Sequence, residues 1–90
     1  MPRYVIEREV PGAGKLSDAQ LKGIAEKSNQ VLRDLGVKIQ WVESFVTENK
    51  IYCIYLADSV DLIMEHARCG GFPADAVNKV RAVINPTTAD

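Results

Sequence analysis

Hydrophobic and polar positions change period along the chain in a way that marks six elements. In Arg3 to Val10 the apolar residues alternate, with Tyr4, Ile6 and Val10 on one side of an extended segment and Val5, Glu7 and Glu9 on the other, predicting a first strand. Pro11-Gly12-Ala13-Gly14 ends it, because proline donates nothing to a ladder and glycine permits a tight reversal. From Ser17 the repeat lengthens to that of a helix. Leu21, Ile24, Ala25, Val31, Leu32 and Leu35 form one stripe that also contains Ser28, Ser17-Asp18-Ala19-Gln20 reads as a capping box, and Gly36 stands where a helix ends.

Val37 to Thr47 and Lys50 to Ala57 are rich in β-branched and aromatic residues and are separated by Glu48-Asn49, which predicts a hairpin. Strict alternation places Trp41, Glu43 and Phe45 on one face and Val42, Ser44 and Val46 on the other; in the second strand Cys53 and Tyr55 oppose Tyr52, Ile54 and Leu56. Asp58 or Ser59 then caps a second helix with the stripe Val60, Ile63, Met64 and Ala67, stopped by Gly70-Gly71. Phe72 to Asp75 reads as a turn, Asn78 to Ile84 as a last strand, and residues 85–90 as a tail held out of the sheet by Pro86.

The order β-α-β-β-α-β predicts an α+β, ferredoxin-like domain spanning residues 1–90, a four-stranded antiparallel sheet with two helices on one face. No element is left to cover the other face. Large apolar residues of the hairpin lie there whichever parity holds, so a homodimer paired through the sheet face is expected.

Composition narrows the function. A net charge of -1 and a pI near 5.8 offer no basic field for nucleic acid. No run approaches the roughly 20 apolar residues of a membrane span, and the first residues lead into a strand without a signal-type apolar stretch, so a cytoplasmic protein is expected. Cys53 and Cys69 are too few for a disulfide scaffold and are read as reduced thiols. Gly14-Lys15 before a helix is not a phosphate loop, since Glu9 and Leu16 occupy positions where that pattern needs glycine and Ser or Thr. No Gly-x-Ser-x-Gly is present.

Four residues remain as candidate metal ligands. His66, the single histidine, falls on the flank of the second helix, where a neutral imidazole can take a metal or carry a proton. Cys69 follows one helical turn later. Glu7 and Glu43 interrupt strand positions with apolar neighbours, and a carboxylate buried there needs a cation, a metal or a shifted pKa. The competing structural expectations are a boundary histidine bonded to a neighbour, a surface thiol, and salt bridges from the glutamates to Arg8, Arg81 or another basic residue.

Tyr4 to Arg8, the hairpin Trp41 to Val46 with Lys50 to Tyr55, Glu65-His66-Ala67 with Gly71-Phe72-Pro73, and the closing Ile84-Asn85-Pro86-Thr87-Thr88 together resemble a family of small bacterial ferredoxin-like domains that includes a nickel-binding protein. The resemblance covers nearly the whole chain. It implies a homodimer akin to the dimeric α/β barrels and, for part of the family, Ni²⁺ binding; it implies no reaction and no position-by-position ligand set. Cys69 and Gly70 depart from the residues that relatives tend to carry, so a site using Cys69 would be peculiar to this chain. Two functions are therefore expected to compete. One is a divalent-metal domain, nickel or another first-row ion, using His66, Glu7, Glu43 and Cys69. The other is a small-molecule or enzymatic pocket with His66 as acid/base and Glu43 or Tyr52 orienting the ligand.

Overall fold

The computed structural model describes residues 1–90. Strand β1 (Arg3–Glu9) is followed by helix α1 (Asp18–Leu35), the hairpin β2 (Ile39–Val46) and β3 (Lys50–Ala57), helix α2 (Val60–Gly70) and a short β4 (Ala76–Lys79), with 3-10 turns at Ala13–Lys15 and Pro86–Ala89. All pairings are antiparallel and the sheet order is β2-β3-β1-β4. This is the ferredoxin-like arrangement that the periodicity predicts.

Local chemistry explains the helix boundaries. Ser17 accepts from the Gln20 amide while the Gln20 side chain accepts from the Ser17 amide, so two free donors of α1 are satisfied reciprocally. Helix α2 ends in a Schellman motif: Gly71 sits at φ 68°, its amide donates to Arg68 O, and the Phe72 amide donates to Ala67 O. That closure turns Phe72 back over the core.

The core lies between the helices and one sheet face. Tyr4, Ile6, Ala13, Ile39, Ile51, Cys53, Tyr55, Ala57 and Ile63 form it. Every second residue of β3 from Ile51 to Ala57 is buried, and in β1 the buried set is Tyr4, Ile6 and Arg8. Arg8 is thus a guanidinium on the core side of a central strand.

Three expectations need correction. In α2 the buried stripe is Ile63, His66, Ala67 and Gly70, whereas Val60 and Met64 are exposed. The helix is turned so that the Schellman closure and the small residues Ala67 and Gly70 approach the sheet side, which moves His66 from the flank to the interior. In β2 an irregularity between Trp41 and Glu43 breaks the alternation: Trp41 pairs with Tyr55, Glu43 with Ile54 and Ser44 with Cys53. Trp41 and Ser44 therefore share the helix side with buried Tyr55 and Cys53, and Glu43 and Phe45 share the open side, so the predicted Trp41-Glu43-Phe45 face does not form. The last strand covers Ala76–Lys79 and not Asn78 to Ile84. Its partner β1 supplies only Tyr4 to Glu7, and the bond from Val80 N to Arg3 O is the last one before β1 runs out at Pro2.

Candidate functional site

Polar side chains from four elements meet beneath the helices. Arg8 of β1 is 4% exposed; its Nε donates to Cys53 Sγ of β3 at 3.4 Å and its Nη1 donates to Pro73 O in the loop after α2. Phe72 covers the guanidinium, with the ring centroid 5.6 Å from Cζ. Arg8 Nη2 is buried and has no partner, and none of the chain's ion pairs includes Arg8.

His66 of α2 is 1% exposed and lies between Tyr55 and Phe72, at ring-centroid distances of 5.1 Å and 5.5 Å. Its Nε2 is 3.1 Å from Ser28 Oγ of α1, while Nδ1 is buried without a partner. Burial first, and then the Arg8 charge, push its pKa down from 6.5 to about 4, against a smaller opposing effect of Ser28. The imidazole is neutral near pH 7. Burial likewise raises the Tyr55 phenol above its ordinary pKa, so it too is uncharged there.

A cavity of about 370 Å³ opens beside this group. Leu21, Ile24 and Ala25 of α1 and Val46 and Ile51 of the hairpin give it an apolar body, and the polar residues Arg8, Ser28 and Tyr55 line it as well. The Trp41 Nε1 donates to Ser44 Oγ at 2.9 Å, which fixes the indole as one wall. His66 is not part of the lining; it touches three residues that are, Ser28, Tyr55 and Phe72.

The residues nominated as metal ligands are not brought together. Glu7 is on the open sheet face, where it pairs with Lys50 at 2.5 Å; Glu9 joins at 3.2 Å, and the two carboxylates, Glu7 foremost, hold the ammonium above its ordinary pKa. The salt-bridge expectation for Glu7 thus holds, with Lys50 in place of Arg8. Glu43 is exposed on the same face and forms no ion pair. Cys69 is exposed on α2, where its Sγ is 3.4 Å from Glu65 Oε1, and that hydrogen bond is the main reason its pKa is raised. Glu65 is in turn held below the usual carboxylate range, first by Arg68. No three His, Cys, Asp or Glu side chains converge, so the donors of one protomer do not fit a nickel site.

Arg8 was expected only as a salt-bridge partner for the glutamates, not as a functional residue. Its parity with Tyr4 and Ile6 was the available signal. Ser28 carried a similar one, as the polar member of an apolar stripe.

No protein with a curated description matches the chain. A crystal structure of SCO4226 from Streptomyces coelicolor A3(2) is similar, with a TM-score of 0.76 over 91% of this chain and 99% of that one at 15% identity, which supports the fold. The model of the family described as nickel responsive protein SCO4226-like matches residues 4–80. The chain belongs to this SCO4226-like, nickel-responsive family.

Proposed function

We propose that the protein is a small nickel-responsive binding domain acting as a homodimer, with its metal held where two copies meet. Family membership carries this reading. Support for the location comes from the dispersal of donors within one protomer and from Glu43, an exposed carboxylate without an ion-pair partner on the sheet face left open by the helices. Glu7 beside it is already neutralised by Lys50, His66 is closed in by Ser28 and two aromatic rings, and Cys69 is on α2, on the helix side of the sheet and not on its open face, so these three rank below Glu43 as ligands.

Titrating tag-free, metal-free protein with Ni²⁺ tests it. At a hundredfold excess over Kd the folded state gains about 2.7 kcal/mol, which in a domain of this size raises the melting temperature by roughly 10 °C or more. Glu43→Gln is expected to diminish the rise, and His66→Gln and Cys69→Ser to leave it intact. An unchanged melting temperature at millimolar nickel overturns the proposal.

The cavity favours a second reading, a pocket for a small organic molecule. Its volume falls within the range of about 300–1,000 Å³ usual for such sites, and its walls are mostly apolar with a few convergent polar groups. His66 reaches this cavity only through lining residues, Ser28 by a hydrogen bond and Tyr55 and Phe72 by ring contact, so it supports the pocket's shape and hydrogen bonding and is not placed to act on a ligand as acid or base.

A further inference from the structure

We propose that the cavity between α1, β2 and the Phe72 loop binds a compact monocarboxylate with an apolar body, its carboxylate taken by Arg8. This deepens the pocket reading by naming the ligand class, and it is independent of nickel.

The guanidinium is the reason. A buried cation is costly unless it is paired and hydrogen-bonded. Arg8 is 4% exposed, yet no carboxylate of the chain pairs with it; a thiol sulfur, a carbonyl oxygen, the face of Phe72 and the nearby neutral phenol of Tyr55 are its surroundings. Nε and Nη1 are engaged and Nη2 is not. Arg8 lines the cavity although Nη2 itself is covered, so an entering carboxylate supplies the missing counter-charge directly and the missing acceptor once the guanidinium turns toward it. The neighbouring polar groups do not compete for that role. Cys53 already accepts from Arg8, Ser28 is bonded to a neutral His66, and Tyr55, though within reach of Arg8 and Ser28, is held in its uncharged phenol form, so none of them supplies the counter-charge.

The remainder of the cavity sets the ligand's body. Leu21, Ile24, Val46, Ile51 and the fixed indole of Trp41 reward an aromatic or branched hydrocarbon and offer no second charge, which disfavours dicarboxylates and phosphorylated compounds. A single acid group on one end and hydrocarbon on the other matches this distribution.

Trp41 is the only tryptophan and lines the cavity, so its fluorescence reports occupancy directly. The 90-residue protein in chelator, without nickel, is titrated at neutral pH with hydrocinnamate and with its neutral isostere hydrocinnamamide. The carboxylate is expected to bind about tenfold or more tightly than the amide, and Arg8→Met to abolish that preference. Equal affinities for acid and amide overturn the carboxylate inference and leave the pocket reading standing. A Trp41 signal unmoved by either compound at millimolar concentration overturns both. If Arg8→Met does not fold, the acid-to-amide ratio of the wild-type protein decides alone.

Discussion

Among individual residues, His66 shows how burial turns an ionisable group into a constraint. The folded protein holds its pKa near 4 while the unfolded chain titrates near 6.5. Between those values the unfolded state binds a proton that the folded state refuses, so stability falls as pH drops through about 6.5 and the loss levels off near 4. A shift of this size corresponds to about 3 kcal/mol. Urea unfolding across that window is expected to show the wild-type protein losing about 3 kcal/mol more than His66→Gln, the two curves running parallel above pH 7; parallel curves throughout would remove His66 as the cause. The same residue shows what a sequence conceals. Its candidacy was visible because it is the only histidine, but its depth depended on which of two adjacent stripes of α2 faces the sheet, and Val60 and Met64 are as apolar as the residues that won. Arg8 was hidden for a different reason: burying a lone guanidinium is unfavourable, so a pattern that predicts it is readily discounted.

At the scale of elements, the connection from α2 to β4 ties helix geometry to the cavity. Gly71 occupies the left-handed region, where a β-carbon is strained, so Gly71→Ala is expected to cost about 1 kcal/mol in urea unfolding. Gly70 is constrained otherwise. A β-carbon there would run into the edge of the Phe72 ring, and the ring is the part able to move. Gly70→Ala is therefore expected to displace Phe72 from Arg8 and His66 and to alter the response of Trp41 to hydrocinnamate, while Gly71→Ala changes stability with a smaller effect on that response. The pair of glycines was legible as a helix stop, whereas their separate duties depend on a ring contact that spacing does not encode. Strand limits followed the same rule. The ends of α1 were written in Ser17, Gln20 and Gly36, but the end of β4 is set by where β1 stops, and the irregularity at Trp41 and Glu43 lies in a run with apolar residues at both parities.

For the whole molecule, the two faces of the sheet have unlike fates. One is packed beneath the helices and contains the cavity, and the other presents Val5, Tyr52, Ile54 and Leu56 half-buried with Val42 and Phe45 about half exposed, all in the β1-β3-β2 region. The β-α-β-β-α-β order made an uncovered face predictable, because neither helix connection can reach it. A second copy covering this face by a two-fold contact would bury on the order of 800 Å² per partner if it is of ordinary size, with Phe45 near the middle and Glu43 beside it. Phe45→Asp puts charge into that contact without touching the core, where Phe45 has no part. Sedimentation of the wild-type protein at tens of micromolar is expected to give a dimer and Phe45→Asp a monomer with a similar unfolding midpoint for the protomer; a wild-type monomer would remove the dimer and, with it, the proposed location of the metal. Because the cavity is on the other side of the sheet, the monomeric variant should still quench or shift Trp41 emission with hydrocinnamate while losing its thermal response to nickel. That separation follows only if metal and organic ligand use opposite faces of one sheet.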